Sequence, residues 1–258
     1  MSTLSAQYHS IIFNEEVNTW DDWHLIPSSR PVVLPPKKKK KTLEIPGMDG
    51  VLDLSETLTK YPVYSNRQGS WEFIVDNGYK EWYQAYSDIM DYLHGQKMIV
   101  SLEDDREYFY EGTFEVNEWR SEKDYSRIVI DYDVGPYKWT FDTSVDEWKW
   151  DPFNFRTGVI TTAMFKNIRV STTARTIHYK KDFYGRAPLC PTFSVSTTGA
   201  GVNIRFVNPT LGIDHTERLQ NGSTRIPEFV FYGDTVDITF QCVSGSGTVS
   251  IDFRKGRL

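Results

Sequence analysis

The chain has 258 residues and a mass of 30.0 kDa, with 39% hydrophobic and 25% charged residues, enough for one large domain or two ordinary ones with real cores. Its only cysteines, Cys190 and Cys242, form no CxxC pair and have no histidine at metal-ligand spacing, so neither a disulfide framework nor a zinc site is indicated, and a reduced compartment at synthesis follows. The start, Met1-Ser2-Thr3-Leu4-Ser5, lacks a basic end and an apolar core, and no apolar run is long enough to span a bilayer, so neither a signal peptide nor a membrane partner is expected.

Net charge is −6, unevenly spread: Met1 to Trp150 carries 16 Lys and Arg against 27 Asp and Glu, and the remainder carries 13 against 8. All 8 tryptophans lie in that acidic first part, while the second is rich in Ser, Thr, Val and Gly. This shift sets a domain boundary at Asp151-Pro152, giving domains 1–150 and 151–258. The acidity of the first argues against nucleic acid as its partner.

In chain order, Ile11-Ile12-Phe13 reads as a short strand. Pro27, Pro31, Pro35 and Pro36 then lead into Lys37-Lys38-Lys39-Lys40-Lys41, an exposed extended arm, because five adjacent like charges cannot all be buried. Such an arm gains most by docking on an acidic surface. Ile45-Pro46-Gly47-Met48-Asp49-Gly50 follows as consecutive turns, with glycine supplying the positive φ that other residues resist.

Trp71, Phe73 and Val75 share one face of a strand. Beyond Gly78 the period changes: Trp82, Tyr86, Ile89 and Leu93 recur at three- and four-residue intervals, while Lys80, Glu81, Asp88 and Asp91 fall mainly on the other side, an amphipathic helix closed by Gly95. Its aromatic stripe is expected to pack on a sheet. Alternation then marks strands at Met98-Ile99-Val100, at Tyr108 and Tyr110, at Phe114 and Val116, and from Ile128 to Val134. The first domain is therefore α+β, one amphipathic helix against a mainly antiparallel sheet.

The second part carries short alternating runs at Val159 to Thr161, Phe193 to Val195, Val202 to Phe206, Val236 to Cys242 and Val249 to Phe253, between Gly, Ser and Asn turns. That spacing predicts a β-sandwich or a jelly roll, making the whole chain mainly β. The Asn221-Gly222-Ser223 sequon reads as a tight turn.

Three segments, in this order, resemble the distal tail proteins of siphophages of Gram-positive hosts: Ile45 to Leu54 with Tyr64, Asn66 and Arg67 downstream; the helix ending at Gly95 followed by Tyr110 to Val116; and Ile128 to Lys138, which ends in Pro136-Tyr137-Lys138. The C-terminal Ile251 to Leu258 is similar to the family's ending, so the resemblance spans nearly the whole chain. It implies a ring-forming N-terminal domain and a galectin-like C-terminal β-sandwich, assembled as a homo-hexameric baseplate hub in the virion, between the major tail tube protein and a tail-associated lysin or tail-tip fibre. Synthesis would be in the host bacterial cytoplasm. In that setting Lys37, Lys38, Lys39, Lys40 and Lys41 are candidate inter-subunit contacts.

A second reading is an adhesion module recognising host wall glycan. Sugar-binding galectins use a tryptophan as stacking platform, and the second part has none, so Tyr184 or Tyr232 would have to supply the ring; Arg205 to Thr210 is only superficially similar to the lectin's Asn-Pro-Arg strand. A lectin-like fold without its platform points to a structural role. Catalysis has no sequence signature: Glu15-Glu16, Asp21-Asp22 and Asp104-Asp105 read as turns and solvated faces, the five histidines are scattered, and neither a nucleophile elbow nor a phosphate loop is present. No enzyme activity, cofactor or metal is expected.

Overall fold

A computed structural model describes residues 9–75, 81–121, 125–147 and 162–258. The boundary expected at Asp151-Pro152 and the run Val159 to Thr161 lie outside the described residues, as do Gly78 and Lys80 at the start of the helical pattern. The chain is mainly β and divides into two compact units, Met1–Trp139 and Thr140–Arg257.

The first unit contains β1 (Ile11–Phe13), β2 (Val17–Asn18), β3 (Leu25–Pro27), β4 (Thr42–Leu43), β5 (Leu52–Asp53), β6 (Arg67–Val75), α1 (Trp82–Leu93), β7 (Gln96–Leu102), β8 (Tyr108–Ser121) and β9 (Ser126–Val134). Seven strands form an antiparallel sheet in the order β2-β1-β7-β8-β9-β6-β3. Period-2 alternation sends Trp71, Phe73, Phe114, Ile128, Ile130 and Tyr132 to one face. Ile89 and Leu93 of α1 join the same buried cluster, which accounts for the helix: its apolar stripe has a sheet to cover.

The expected stripe needs one correction. Ala85, Ile89 and Leu93 are the buried positions, whereas Trp82 is 45% exposed and stacks beside Trp119 with ring centroids 6.3 Å apart. Gly95 has φ +73, but its N–H donates to the Phe114 carbonyl of β8, so the residue turns the chain from helix to sheet; the last helical turn is closed by His94 donating to Met90. The separate runs expected at Tyr108 and at Phe114 are one strand, β8, with a register shift between Val116 and Glu118. Gly112 makes that pairing possible, since a Cβ there would sit 2.1 Å from the Asp133 carbonyl oxygen.

β10 (Lys138–Thr143) carries the chain into the second unit, whose strands are β11 (Ile168–Ser171), β12 (Arg175–Lys180), β13 (Thr192–Thr197), β14 (Val202–Asn208), β15 (Ile213–Leu219), β16 (Gly222–Arg225), β17 (Thr235–Cys242), β18 (Ser246–Asp252) and β19 (Arg254–Arg257). They build two four-stranded antiparallel sheets, β11-β18-β13-β16 and β12-β17-β14-β15, with β19 paired to β10. Of the two architectures the sequence left open, this is the sandwich. Phe229 bridges the sheets, 5.6 Å from the Phe193 ring on one and stacked at 4.8 Å on Phe206 of the other. Asn221 marks the bend before β16, its side-chain amide exchanging two hydrogen bonds with the Thr197 backbone.

Because Phe206 is fully buried between Phe229 and Phe231, Phe206→Ala is expected to destabilise the second unit by about 3–5 kcal/mol. Urea unfolding followed by circular dichroism checks this; a loss under about 1 kcal/mol would contradict the assigned core.

Candidate functional site

The segment from Val32 to Asn66 leaves the first unit's core, carries its largest share of exposed apolar side chains, and returns. Its foot is fixed by side chains of the sheet. Trp71 Nε1 donates to the Val32 carbonyl at 2.9 Å, the Leu34 N–H donates to the Tyr132 hydroxyl at 3.0 Å, and Arg67 donates from Nη1 to the Leu34 carbonyl at 3.3 Å and from Nε to the Pro136 carbonyl at 2.9 Å. Val33 packs into the core while Val32 and Leu34 face outward. Arg67 is buried, its guanidinium 5.4 Å from the centroid of the Tyr110 ring. Desolvation lowers its pKa, opposed by Tyr110 and Tyr132. Sequence reading set Arg67 within a motif without seeing this role; an arginine opening an aromatic strand was the available signal.

The lysine run follows, and all five side chains are exposed, as extended geometry and like charge require. The Lys37 carbonyl accepts from Ser65 N–H at 2.9 Å and Lys39 N–H donates to the Val63 carbonyl at 2.8 Å, an antiparallel bridge centred on Lys38 and Tyr64. Lys41 closes the other side, its N–H on Ser55 Oγ and its carbonyl accepting from Leu54 N–H, both at 2.8 Å. Lys38 Nζ pairs with Glu56 at 2.6 Å, and that hydrogen bond raises the Lys38 pKa. Asp53 is held below the usual carboxylate range chiefly by hydrogen bonds from Ser55, with smaller help from Lys38 and Lys40.

Beyond Lys41 the chain makes a two-stranded hairpin, Thr42 opposite Asp53 and Leu43 opposite Leu52, tipped by Ile45 to Gly50. Gly47 and Gly50 take φ +85 and +79, the left-handed values expected of the turn sequence. Every residue from Lys41 to Asp53 is exposed, including Leu43, Ile45, Met48, Val51 and Leu52, and Leu58 beyond them is 97% exposed. A contiguous exposed apolar cluster of this kind is characteristic of contact surfaces.

The other candidate residues fare differently. Tyr184, named above as a sugar-stacking ring, is fully buried against Phe231 and its hydroxyl donates to the Gly233 carbonyl at 2.9 Å, so it offers no face to a sugar. Tyr232 is half-buried. Asn208 is spent inside the fold: its amide donates to the Val230 and Tyr232 carbonyls and its oxygen accepts from Leu211 N–H. Asp104 and Asp105 lie in a 3₁₀ turn and diverge, Asp104 toward Arg30 and His9, Asp105 toward Lys138. Arg30 is the main cause holding the Asp104 carboxyl below its ordinary value. Among the described residues no His, Cys, Asp or Glu cluster has a metal-binding arrangement, and no helix is long and apolar enough to cross a membrane.

Two outcomes follow. Trp71→Phe removes the donor to Val32 and should cost about 1–2 kcal/mol, releasing the foot of the arm, so a lysine-specific protease should cut between Lys37 and Lys41 faster than in the parent chain; an unchanged rate would deny the anchor. Burial pushes the Tyr184 hydroxyl up to about 12. The folded state therefore holds this proton more tightly than the unfolded chain, whose tyrosines titrate near 10. Stability attributable to Tyr184 is intact below about pH 10 and is lost as pH rises toward about 12. Difference absorbance at 295 nm against a Tyr184→Phe variant should show that step missing, and a midpoint near 10 would overturn the assignment.

No protein-family model matches the chain, and no curated protein sequence matches it. Among solved structures it is similar to the Dit protein of phage SPP1, described as a paradigm of the hub adsorption apparatus in phages infecting Gram-positive bacteria, with a TM-score of 0.57 at 12% identity over 96% of this chain and 99% of that one. At that identity the likeness shows a shared fold across both units.

Proposed function

We propose that the chain is a structural distal tail protein of a long-tailed phage, a homo-oligomeric ring of six copies that joins the tail tube to the tip apparatus. The observation that carries this reading is the fold likeness to a phage hub protein over nearly the full length of both chains. A likeness confined to the second unit would have pointed only to a common sandwich. The arm supports it independently, because a ring requires each copy to offer one surface that another copy covers, and Lys37 to Leu58 combines exposed charge with exposed apolar side chains. The reading places the protein in the virion after synthesis in the host cytoplasm, with the tube protein on one side and a tail-associated lysin or fibre on the other. It assigns no reaction and needs no cofactor.

The burial of Tyr184 and the internal use of Asn208 remove two supports of the glycan-binding alternative. Multi-angle light scattering on the full chain is expected to give about 180 kDa, six times the 30.0 kDa chain, and antibody labelling is expected at tail tips in micrographs. Monomer alone across a wide concentration range, with tips unlabelled, would reject the hub.

A further inference from the structure

The sheet of the first unit has a second face, opposite the core. On β6, β9 and β8 the register aligns Ser70, Asp131 and Glu115 in one row and Gln68, Asp133 and Thr113 in the next. These six residues line an open groove of about 510 Å³. Asp131 and Glu115 stand directly opposite each other across two strands, an arrangement of like charges that destabilises a sheet unless a cation joins it. Elsewhere on this face the carboxylates have cations: Glu72 pairs with Arg127 at 2.8 Å and Glu111 with Lys97 at 2.6 Å. In the groove, Asp131 and Asp133 have only neutral amide partners among the described residues. Asp133 accepts from Asn66 and Gln68, at 2.7 and 2.6 Å, and Asp131 from Asn117 at 2.8 Å. Amide donors aimed at these oxygens suit a carboxylate awaiting an ammonium group, and are poor company for a metal ion, which needs oxygens all round.

The lysine arm has the complementary pattern. Its residues are extended, so alternate side chains take opposite faces. Lys38 and Lys40 share one face, where Glu56 and Asp53 already sit. Lys37, Lys39 and Lys41 share the other and form no ion pair with any of the described residues. Ammonium groups two residues apart on an extended chain repeat at about 7 Å, and so do carboxylates two residues apart on a strand, as Asp131 and Asp133 are.

We propose that the Lys37, Lys39 and Lys41 face of one copy docks in the Glu115, Asp131 and Asp133 groove of a second copy of this chain. The inference rests on the oligomeric hub reading and names the acceptor surface that reading lacks. Since the donor and acceptor surfaces are different, each copy gives one and receives one, the head-to-tail interface from which closed rings are built.

Full-length protein labelled with ¹⁵N is mixed with unlabelled protein, treated at low salt with a zero-length carbodiimide, and digested for mass spectrometry. Mixed-isotope peptides joining Lys37, Lys39 or Lys41 to Glu115, Asp131 or Asp133 are expected. Reversing the three lysines to Glu should weaken association about tenfold or more, reversing the three acids to Lys should do the same, and mixing the two variants should recover most of the loss. A neutral set, Glu115→Gln, Asp131→Asn and Asp133→Asn, guards against misfolding of the reversed chain and should flatten the salt dependence of association. Cross-links confined to one isotope, mixed cross-links landing elsewhere, or an unchanged salt dependence in the neutral set would overturn the assignment while leaving the hub intact. A parent chain that never associates would instead remove the hub reading and this inference with it.

Discussion

The foot of the arm depends on side chains answering a backbone. Among the described residues no strand pairs with Val32 to Leu34 to complete its hydrogen bonds, and Trp71, Tyr132 and Arg67 supply the donors and the acceptor that a strand would otherwise provide. Each such bond is worth only about 1 kcal/mol net, but a buried carbonyl left unmet costs about 1–3 kcal/mol, so the three act as a requirement more than as a bonus. Burial of Arg67 is partly offset, since its charge lies beside the Tyr110 ring and two carbonyl oxygens, while its buried Nη2 has no hydrogen-bond partner among the described residues. With the foot fixed, everything from Lys37 to Asn66 can project from the core while still being held at both ends.

The second unit follows a different constraint. Its sheets are joined by phenylalanine and tyrosine, and Phe193, Phe206, Phe229 and Phe231 meet edge-to-face or stacked at 4.8–5.6 Å. Tyr179 and Tyr184 complete this seam, each with a hydroxyl satisfied by a backbone carbonyl, which is how a core accepts tyrosine. Aromatic side chains used in this way are unavailable to a ligand. The outward faces carry short polar pairs instead, such as Thr176 with Thr239 and Arg205 with Asp214.

Legibility in the sequence followed burial. Where one face is buried, alternation is clean, and β6, β9, β14 and β17 could be read from their apolar positions. β15 and β16 are exposed along almost their whole length and carry no such signal, so nothing in Ile213 to Arg225 announced two strands. β8 was read in pieces because Gly112 interrupts its apolar row, the glycine being needed for a close approach to the Asp133 carbonyl rather than for a turn. Trp82 was drawn into the helical stripe by spacing alone, although Ala85 suffices there and the indole stacks beside Trp119. At the candidate site, composition revealed the lysine arm and the turn at Gly47 and Gly50. It did not show that alternate lysines have different surroundings, because Glu56 and Asp53 reach Lys38 and Lys40 through pairing that no local pattern encodes.

That division bears on what charge and apolar surface would each contribute to the proposed assembly. An exposed ion pair is worth about 0–1 kcal/mol and is screened within about 8–10 Å at physiological salt, so three lysines facing three carboxylates cannot by themselves hold copies together. Leu43, Ile45, Met48, Val51 and Leu52 can, since burying one such side chain fully yields about 1.5–3 kcal/mol. Apolar contact, however, is indifferent to register. A row of ammonium groups repeating at the spacing of Asp131 and Asp133 penalises any slip by one residue, because the side chains would then point to the wrong face. The arm carries both kinds of surface on one short projection, and in the proposed ring the hairpin would supply affinity and the lysines alignment.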